Sequence, residues 1–539
     1  MVKIIKTAAL SVAVTVLAGC SLNETANNGD GNSGSGVLTE RYSREVIEAH
    51  LHGWYNKDVL VAFPEPDSAE PVAAPAVEAS WDYVPGVVAK GILDTWEYYQ
   101  DSVWADAWYK SLCYWGLRQQ ATDRGGILDD LNCTKVFIGL YEGAKPGGKF
   151  ENAENAAYFM EQMRRGAKGL AEHKALYSIN VQGDNVQSTK DGVSGGWMHK
   201  ATGDPAKSYW GQMWCDGAYM GPALLAQLIA AGATEGFDLG WDDVVRQFTA
   251  SWPYLWDKEK KLLYHVLFTD VTENRNGKAL YDAGHLYECT KGQSTMYKGP
   301  SDQVPCAIYR SEEFWGRADG WYILALVDVL EAYMNVQRDK VQCTRGQVPS
   351  TVSHSAEFKI LHGYLKELAE GLVARQDPMT GCWYQLLQYG PEKCATQGVD
   401  DTGSPQYTNV AEGGTQCNYL ESSASCLITA ALLKGTRLGL LDYAEAGKRG
   451  FEGIVKHFLT AGYDITSSCQ SAGLSKDRNG TAAYYLIGKD VPIQDNTEGK
   501  VLGAFLMAAV EYERAYPPKA ATREKLPPKN SNFVLKIKI

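Results

Sequence analysis

Apolar residues recur every three to four positions along most of the chain, which is the period of an α-helix with one buried face. Apart from the tail 533–539, no segment with the two-residue period of a strand is of comparable strength. We therefore predict an all-α protein with about eleven helices, at 83–100, 103–119, 130–142, 152–170, 222–231, 242–256, 319–337, 358–376, 422–438, 443–458 and 497–513, and with 41–52 as a candidate twelfth.

The helices follow no fixed short repeat, so a closed array of helix pairs fits them better than an open solenoid. Six helical hairpins closed into one toroid would use residues 39–539 as a single domain with a short C-terminal tail. We expect the long loops 265–311 and 388–419 at one rim of this toroid, because functional loops are carried by a rigid scaffold.

The composition supports a large core and narrows the class of partner. Hydrophobic residues make up 45% of the 539 residues and charged residues 22%, which is typical of a globular chain. Fifteen Trp and 31 Tyr provide many faces on which sugar rings can stack, although packing between helices uses the same residues. The net charge of -12, without a basic block, excludes nucleic acid as an expected partner.

The N-terminus has the pattern of an export signal. Lys3 and Lys6 precede a short apolar run at 8–17, and residues 17–20 resemble the lipobox of bacterial lipoproteins. The resemblance implies a signal peptide at 1–20 that is cleaved before Cys20, whose acylated sulfur anchors the protein to a membrane of the bacterial cell envelope. Residues 21–38 would form a flexible tether, rich in Gly, Ser and Asn at 27–36. The alternative is an ordinary secretory peptide with an accidental cysteine.

Twelve cysteines occur in the chain, and an exported protein can form disulfides. Cys289 with Cys306, and Cys394 with Cys417, flank long loops and could link them, although the sequence leaves the connectivity open. Cysteines inside apolar helical patterns are expected to be small core residues, as at Cys215 and Cys426. The sequence contains neither a CxxC pair nor an HExxH motif, so we predict no metal site and no cofactor.

One carboxylate has unusual neighbours. Asp216 lies in the segment Trp-Cys-Asp-Gly-Ala-Tyr-Met at 214–220, directly before the apolar run 222–231. Aromatic and thioether neighbours disfavour the charged form, so we expect a raised pKa, as a general acid near neutral pH requires. The alternative is that Asp216 only caps the helix that follows.

Three further polar motifs stand at the predicted starts of helices, at 129–132, 315–321 and 421–425. Helix N-termini carry free N–H groups and the positive end of the helix dipole, so they favour anions. Capping explains any one of these motifs, but together they predict one rim that is rich in donors and carboxylates. Arg317, placed among tryptophans, offers a planar fork for a carboxylate, which indicates an acidic sugar.

These motifs occur in the order found in a known group of enzymes. Between about residues 81 and 515 the chain resembles the unsaturated glucuronyl and rhamnogalacturonyl hydrolases, glycoside hydrolase families 88 and 105, and it resembles family 105 more closely. The segments that carry the resemblance are 81–84, 129–130, 195–200, 212–217, 264–265, 315–317, 380–385 and 421–425. The resemblance implies an (α/α)6 barrel, in agreement with the helix count.

The resemblance also implies an activity and a set of site residues. Such enzymes act on the 4,5-unsaturated uronic acid that polysaccharide lyases leave at the non-reducing end: an acid protonates C-4, water adds at C-5, and the glycosidic bond then breaks. Asp216 matches the proton donor and water-activating base, and Asp130 matches the second carboxylate. The remaining matches are to substrate-binding positions: Arg317, Ser422 and Ser425 for the carboxylate, His199 and His265 for the sugar, and Trp214, Trp315, Trp321, Trp383 and Tyr384 as candidate stacking surfaces, for which core packing is an equal alternative.

The chain departs from the family pattern in two places. Ala318-Asp319 stand where the family has Gly-Asn, which adds a negative charge beside Arg317 unless Asp319 turns away, and Val-Leu follows His265 in place of a small residue, Trp and Asp. Two other functions stay open: an inverting glycosidase that acts on saturated glycans, and a non-catalytic surface glycan-binding lipoprotein. The expected partner is an acidic oligosaccharide, and the sequence does not indicate an oligomeric state.

Overall fold

In a computed structural model, the described part of the chain contains fifteen α-helices and nine short strands. The structure describes residues 38, 40–57, 79–100, 102–179, 195–200, 209, 211–269, 308–341, 355–398, 408–474, 478 and 480–518. The helices are α1 Tyr42–His50, α2 Tyr83–Tyr99, α3 Val103–Gly116, α4 Leu128–Asn132, α5 Lys135–Ala144, α6 Ala153–Tyr177, α7 Cys215–Met220, α8 Pro222–Ala230, α9 Trp241–Leu255, α10 Gly316–Val341, α11 Ala356–Val373, α12 Ser422–Arg437, α13 Ala444–Phe458, α14 Ala482–Ile487 and α15 Gly499–Ala515.

Six of these helices form a closed inner ring. Helices α2, α5, α8, α10, α12 and α15 each pack against the next, and α15 returns to α2. The outer helices lie against neighbouring inner ones: α3 on α2 and α5, α6 on α5 and α8, α9 on α8, α11 on α10, α13 on α12 and α15, and α1 on α15 and α2. The expected all-α (α/α)6 barrel is therefore confirmed, and α1 is the predicted twelfth helix.

The ring closes through a contact that only a small residue permits. Gly503 of α15 lies against the backbone of Val87 on α2, and a Cβ at Gly503 would stand 2.8 Å from the carbonyl oxygen of Val87. Glycine therefore allows the two helices to approach more closely than side chains would. The apolar faces of the ring helices meet in one continuous core.

The helix predictions hold to within a few residues for most elements, and the differences have local causes. The predicted helix 130–142 is divided into α4 and α5 by Cys133 and Thr134. The short helix α7 precedes α8, and Gly221 with Pro222 separates them because proline cannot continue a helix. Helix α14 is absent from the prediction because six residues are too few for a helical period to show. The predicted strand 533–539 lies outside the described residues.

Short strands, none of them predicted, shape the loops at one rim. Strands β1 Gln212–Trp214, β4 Val266–Thr269 and β5 Ile308–Arg310 form a three-stranded sheet in the order β1-β4-β5. The pairs β2 Trp256–Asp257 with β3 Leu262–Leu263, β6 Cys394–Thr396 with β7 Thr415–Cys417, and β8 Ser468–Cys469 with β9 Ile493–Gln494 form two-stranded sheets. A disulfide between Cys394 and Cys417 links β6 to β7, as the sequence suggested.

Other expectations about cysteines and the N-terminus have different outcomes. Cys215 and Cys426 are buried free thiols, as predicted for core residues. The predicted anchor at Cys20, the tether and the Cys289–Cys306 pair lie outside the described residues. Among the residues that the structure covers, no helix combines the length and the apolarity that a bilayer span requires.

Candidate active site

The predicted clustering of the polar motifs at one end of the barrel is observed. Polar residues cap or occupy the first turns on the inner side of the ring: Tyr83 of α2, Asp129 of α4, Asp216 of α7, Arg317 of α10, Ser422 of α12 and Glu498 before α15. Burial raises the pKa of the Tyr83 phenol, and the charge of Asp129 raises it further. Arg317 opposes this rise, whereas Glu498 and Asp216 add to it. These groups therefore interact electrostatically across one shared site.

The central contact of the site is a hydrogen-bonded chain of three side chains. Nε2 of His265 lies 3.1 Å from Oδ2 of Asp216, and Nδ1 of His265 lies 2.7 Å from the hydroxyl of Tyr485 on α14. A backbone hydrogen bond also holds Asp216 beside His265, since the amide of Cys215 donates to the carbonyl of His265 at 3.0 Å. Asp216 does not cap α7, because the N-cap is Trp214 and no side chain fills that role. Its side chain is 13% exposed, so a ligand can reach it.

The pKa of Asp216 differs in direction from the prediction. Burial raises it, as its aromatic neighbours suggested, but the hydrogen bond and the charge of His265 lower it, and the net direction is downward. The predicted rise is therefore wrong, because these two effects of His265 outweigh burial.

The carboxylate that points into the site from α4 is Asp129. His199 Nε2 lies 3.2 Å from its Oδ1, and Lys200 Nζ lies 2.7 Å from its Oδ2. Although burial raises the pKa of Asp129, the charges and hydrogen bonds of His199 and Lys200 outweigh that effect and hold it well below its usual range. The side chain of Asp130 is exposed instead. Adjacent residues on a helix point about 100° apart, so the structure brings Asp129, and not the predicted Asp130, into contact with His199 and Lys200.

Trp214 joins the two histidines. Its indole stacks on His199, with 4.5 Å between the ring centroids and 14° between the planes. It meets the His265 ring at a steep angle with centroids 5.6 Å apart, and its Nε1 donates to Gln212 at 2.7 Å. His199 and His265 thus flank the same aromatic ring, and their predicted sugar contacts, like those of Trp214, stay predictions.

Arg317 is placed differently from the predicted carboxylate clamp. Its side chain is 2% exposed, Nε donates to Ser423 Oγ at 2.7 Å, and the other nitrogens donate to the carbonyls of Cys469 and Gln470. Nη2 also lies 3.6 Å from Oε1 of the fully buried Glu421. Arg317 therefore holds parts of the rim together through buried contacts and has no face open to a ligand.

The two serines that were expected to assist Arg317 are also buried. Ser425 Oγ donates to the carbonyl of Glu421 at 2.8 Å and accepts from the amide of Trp383 at 3.0 Å. Ser422 is buried too, and its Oγ has no hydrogen-bond partner among the described residues. Ser425 consequently holds backbone in place, and only Ser422 retains an unused polar group.

Most of the candidate stacking aromatics lie in the core. Trp315, Trp321 and Trp383 are each 2% exposed or less, so they present no ring face to a sugar. Trp315 Nε1 donates to Gln385 and Trp383 Nε1 to the carbonyl of Leu372, while Trp321 packs on Tyr219. The half-buried Tyr384 directs its hydroxyl to Asp377 at 3.4 Å. Packing was the correct alternative for the three tryptophans.

The surroundings of Asp319 disfavour the extra negative charge that the sequence places there. Oδ1 of Asp319 accepts from the backbone amide of Leu263 at 3.0 Å, on the β2–β3 hairpin. Complete burial raises the pKa of Asp319 well above its usual range, against this one hydrogen bond. Burial therefore disfavours the charged form of Asp319, and the hydrogen bond described for its carboxyl goes to Leu263 and not to Arg317.

A second cavity, of about 770 Å³, is lined by later turns of the same inner helices, away from the N-terminal rim. Several of its charged side chains pair with one another: Lys434 with Asp328 and Glu331 at 2.6 and 2.8 Å, and Arg437 with Glu511 at 2.7 Å. The residues predicted for the site lie at the N-terminal rim and do not line this cavity, so the rim is the better candidate site. Within the described ranges no three His, Cys, Asp or Glu side chains are grouped as metal ligands would be.

Several residues of the site did not stand out in the sequence. Glu421 contacts Arg317, Tyr485 contacts His265 and Lys200 contacts Asp129, as described above. Lys200 and Glu421 belong to motifs that were recognised. They could have been identified as the opposite charges that the carboxylate at 129 and the guanidinium of Arg317 require. Tyr485 lies 220 residues from its partner, and no local pattern marks it.

Comparison with known proteins places the chain among glycoside hydrolases. A protein named Atu3128 from Agrobacterium fabrum is 28% identical over 244 residues, which cover 43% of this chain and 83% of that protein. A family 105 glycoside hydrolase of C. acetobutylicum has a similar structure, with a TM-score of 0.51, 24% identity, and coverage of 88% of this chain and all of that one. A possible family 105 member from Klebsiella pneumoniae gives a TM-score of 0.53 at 16% identity, over 94% of this chain and all of that one.

The match to a family extends over nearly the whole barrel. The family model of glycosyl hydrolase family 88 matches residues 63–279, 295–397 and 394–516. These ranges include every inner helix and all the polar residues at the rim, and they agree with the resemblance drawn from the motifs. The chain belongs to glycosyl hydrolase family 88.

Proposed function

We propose that this protein removes a 4,5-unsaturated uronic acid from the non-reducing end of oligosaccharides that polysaccharide lyases produce. The observation that carries the proposal is the Asp216–His265 pair, with 3.1 Å between Oδ2 and Nε2, in a site that also holds the ionised Asp129. One carboxylate can exchange a proton while the other stays charged. That division of roles suits an acid-catalysed addition of water to a double bond.

In the proposed mechanism, Asp216 protonates C-4 of the enol ether and then activates the water that adds at C-5. The resulting hemiketal opens, and the glycosidic bond breaks as a consequence. Positive charge develops in the ring during protonation, and the fixed negative charge of Asp129 stabilises it. His265 influences how readily Asp216 binds its proton, because its hydrogen bond and its positive charge both lower the pKa of Asp216 and the neutral form keeps only the hydrogen bond.

The substrate carboxylate needs an accessible positive charge, and Lys200 supplies one. Its side chain is 31% exposed, and its Nζ lies 5.7 Å from the centre of the Trp214 ring, beside the Asp216–His265 pair. Arg317, in contrast, already binds Glu421, Ser423 and two carbonyls. We therefore assign recognition of the uronate to Lys200 and give Arg317 a structural role.

The activity can be tested through the ultraviolet absorbance of the C-4/C-5 double bond, which hydration removes. The wild type should abolish this absorbance, and Asp216→Asn should lower kcat by at least about 100-fold with KM little changed. Asp319→Asn is the control, because Asp319 is a buried carboxyl that lies outside the site and whose charged form is disfavoured. Folded wild type that leaves the absorbance of every unsaturated uronide unchanged would refute the proposal.

Rhamnogalacturonan-type or ulvan-type fragments are the proposed substrates, in line with the motif resemblance to family 105. A panel of unsaturated disaccharides with different sugars beside the uronate would rank them by kcat/KM. Release of sugar from saturated substrates alone would favour an inverting glycosidase. Sugar binding that survives in Asp216→Asn, without turnover by the wild type, would favour a glycan-binding protein.

We also propose that the protein is anchored to a membrane of the bacterial cell envelope through a lipid on Cys20, on the basis of the lipobox-like residues 17–20. Radioactive palmitate should label the wild type expressed in a bacterium, and Cys20→Ser should abolish the label. The same activity in a released, unlabelled wild type would show that the signal is an ordinary secretory peptide.

A further inference from the structure

The helix α14 places a phenol on the far side of the His265 ring from Asp216. The hydroxyl of Tyr485 lies 2.7 Å from Nδ1, while Nε2 faces Asp216 at 3.1 Å, so both ring nitrogens have partners. An ionised carboxylate can only accept, which requires a proton on Nε2. In a neutral imidazole Nδ1 is then the acceptor, and Tyr485 is the donor. Burial raises the pKa of Tyr485 well above its usual range, so the phenol keeps its proton.

We propose that Tyr485 is a positioning residue for the reaction: it donates to Nδ1 and thereby holds His265 as the neutral tautomer that carries its proton on Nε2. The proposal rests on the proposed function and extends it to a residue that does not touch the substrate. A second proton on His265 would require this hydroxyl to turn and accept from Nδ1 instead of donating to it, which disfavours the cationic ring. The proton that the chemistry needs is then held by Asp216, where it can reach the sugar.

Packing around His265 and Tyr485 restricts the movement of both side chains. The His265 ring lies between Trp214 and Trp315, with centroids 5.6 and 4.7 Å away, so it cannot turn freely. Gln385 Nε2 donates to the backbone carbonyl of Tyr485 at 3.2 Å and fixes α14 at this point. Tyr485 and His265 are both completely buried, so water does not replace the phenol easily.

The other titratable groups around the pair leave Tyr485 as the group in contact with Nδ1. Asp216 faces Nε2, and the charges of His199 and Lys200 act on Asp216 from the opposite wall. Glu313, Tyr484 and Cys215 lie near Tyr485 and raise its pKa further, after burial. Each of these influences keeps the phenol protonated or acts on Asp216, and none supplies a second donor to Nδ1 in the contacts described for His265.

Tyr485→Phe tests the proposal by removing one hydroxyl from a buried ring. Without the donor, Nδ1 can bind a proton, and the ion pair of cationic His265 with ionised Asp216 becomes more stable. The plateau of kcat should fall by about 10-fold, because less Asp216 carries the proton, with KM changed by less than about 2-fold. The alkaline limb of the kcat profile should move to higher pH, because the ion pair holds its shared proton more tightly.

Tyr484→Phe is the matched control. Tyr484 is the neighbouring residue on α14, is equally buried, and uses its hydroxyl to accept from the amide of Gly473 at 3.0 Å instead of binding His265. This variant should keep the wild-type pH limbs. Equal losses in the two variants with unmoved limbs would show that α14 matters only for folding and would overturn the proposal, as would wild-type kinetics in Tyr485→Phe.

A measurement that does not need turnover separates this proposal from the proposed function. Nitrogen-15 labelling of the nine histidines, with the His265 signals assigned from His265→Gln, reports its tautomer and charge by NMR. In the wild type Nε2 should carry the proton, and in Tyr485→Phe His265 should become cationic at a higher pH. An Nδ1-protonated His265 in the wild type, or identical titrations in both proteins, would refute the role of Tyr485 even if the enzyme proved active.

Discussion

Arg317 and Glu421 form a buried ion pair beneath the active-site rim, with 3.6 Å between Nη2 and Oε1. Glu421 also accepts from the amides of Ala424 at 2.6 Å and Cys469 at 2.8 Å, so it caps α12 and binds the β8 strand at once. Arg317 belongs to α10. The pair therefore joins two inner helices to a rim strand, and its loss is expected to change stability more directly than substrate binding.

Arg317→Met should destabilise the protein by about 3–5 kcal/mol, because it leaves the carboxylate of Glu421 buried without its cation. Glu421→Gln should have a cost of similar size, and the double variant should cost clearly less than the sum. The midpoints of urea unfolding for the four proteins give this coupling. Additive costs, or a large rise in KM at unchanged stability for Arg317→Met, would instead support a role in binding the substrate.

Lys200→Met should raise KM for an unsaturated uronide by about 10-fold or more, because a charge-assisted hydrogen bond is worth about 1.5–3 kcal/mol. A substrate whose uronate is methyl-esterified provides the comparison, since it has no negative charge for Lys200 to bind. The wild type and Lys200→Met should differ much less on the ester. An equal effect on both substrates would indicate that Lys200 acts through Asp129 alone.

Asp129→Asn should lower kcat/KM by about 100-fold, because it removes a fixed negative charge from the site and a partner of His199 and Lys200. Asp130→Asn is the natural control: the two residues are adjacent on α4, but the side chain of Asp130 faces outward and is exposed. Steady-state kinetics of both variants decide which carboxylate serves the site. A loss in Asp130→Asn as large as that in Asp129→Asn would restore the assignment made from the motif.

The periodic apolar pattern was sufficient to predict the ring of helices and the rim at which its polar motifs meet. It could not choose between Asp129 and Asp130, because that choice depends on where α4 begins and how its first turn is rotated. Arg317 was recognised by residue type, but its burial follows from Glu421 and the carbonyl of Cys469, two groups from other elements. Tyr485 and His265 meet only through the fold, across 220 positions of sequence.

Glu513 provides a prediction about the pH dependence of stability. Its Oε1 accepts from the amide of Ser43 at 2.9 Å and its Oε2 from Tyr99 at 3.0 Å, which fastens α1 and α2 to α15. Burial nevertheless raises its pKa from 4.5 to about 7. The folded state therefore binds this proton more tightly than the unfolded chain, and the resulting stability is complete below pH 4.5 and lost as the pH rises to about 7.

Glu513→Gln should remove this dependence, which amounts to at most about 3 kcal/mol between the two pH values. The difference in unfolding midpoint between wild type and variant, measured in urea at pH 5 and pH 8, should shift in favour of the variant at the higher pH. Glu154→Gln, at an exposed position of α6, should show no such shift. A constant difference between wild type and Glu513→Gln would contradict the raised pKa.

The contact that closes the ring predicts that replacement of a helical glycine by alanine changes the stability in opposite directions at two positions. Gly503→Ala places a Cβ 2.8 Å from the Val87 carbonyl, against backbone that cannot rotate away. The strain should exceed the gain in helix propensity and destabilise the protein by about 1–3 kcal/mol. Gly363→Ala on α11 meets nothing within 4 Å, so the propensity gain should dominate and stabilise it by up to about 1 kcal/mol. Urea unfolding of both variants checks the signs, and a stabilised Gly503→Ala would show that α2 and α15 are free to separate.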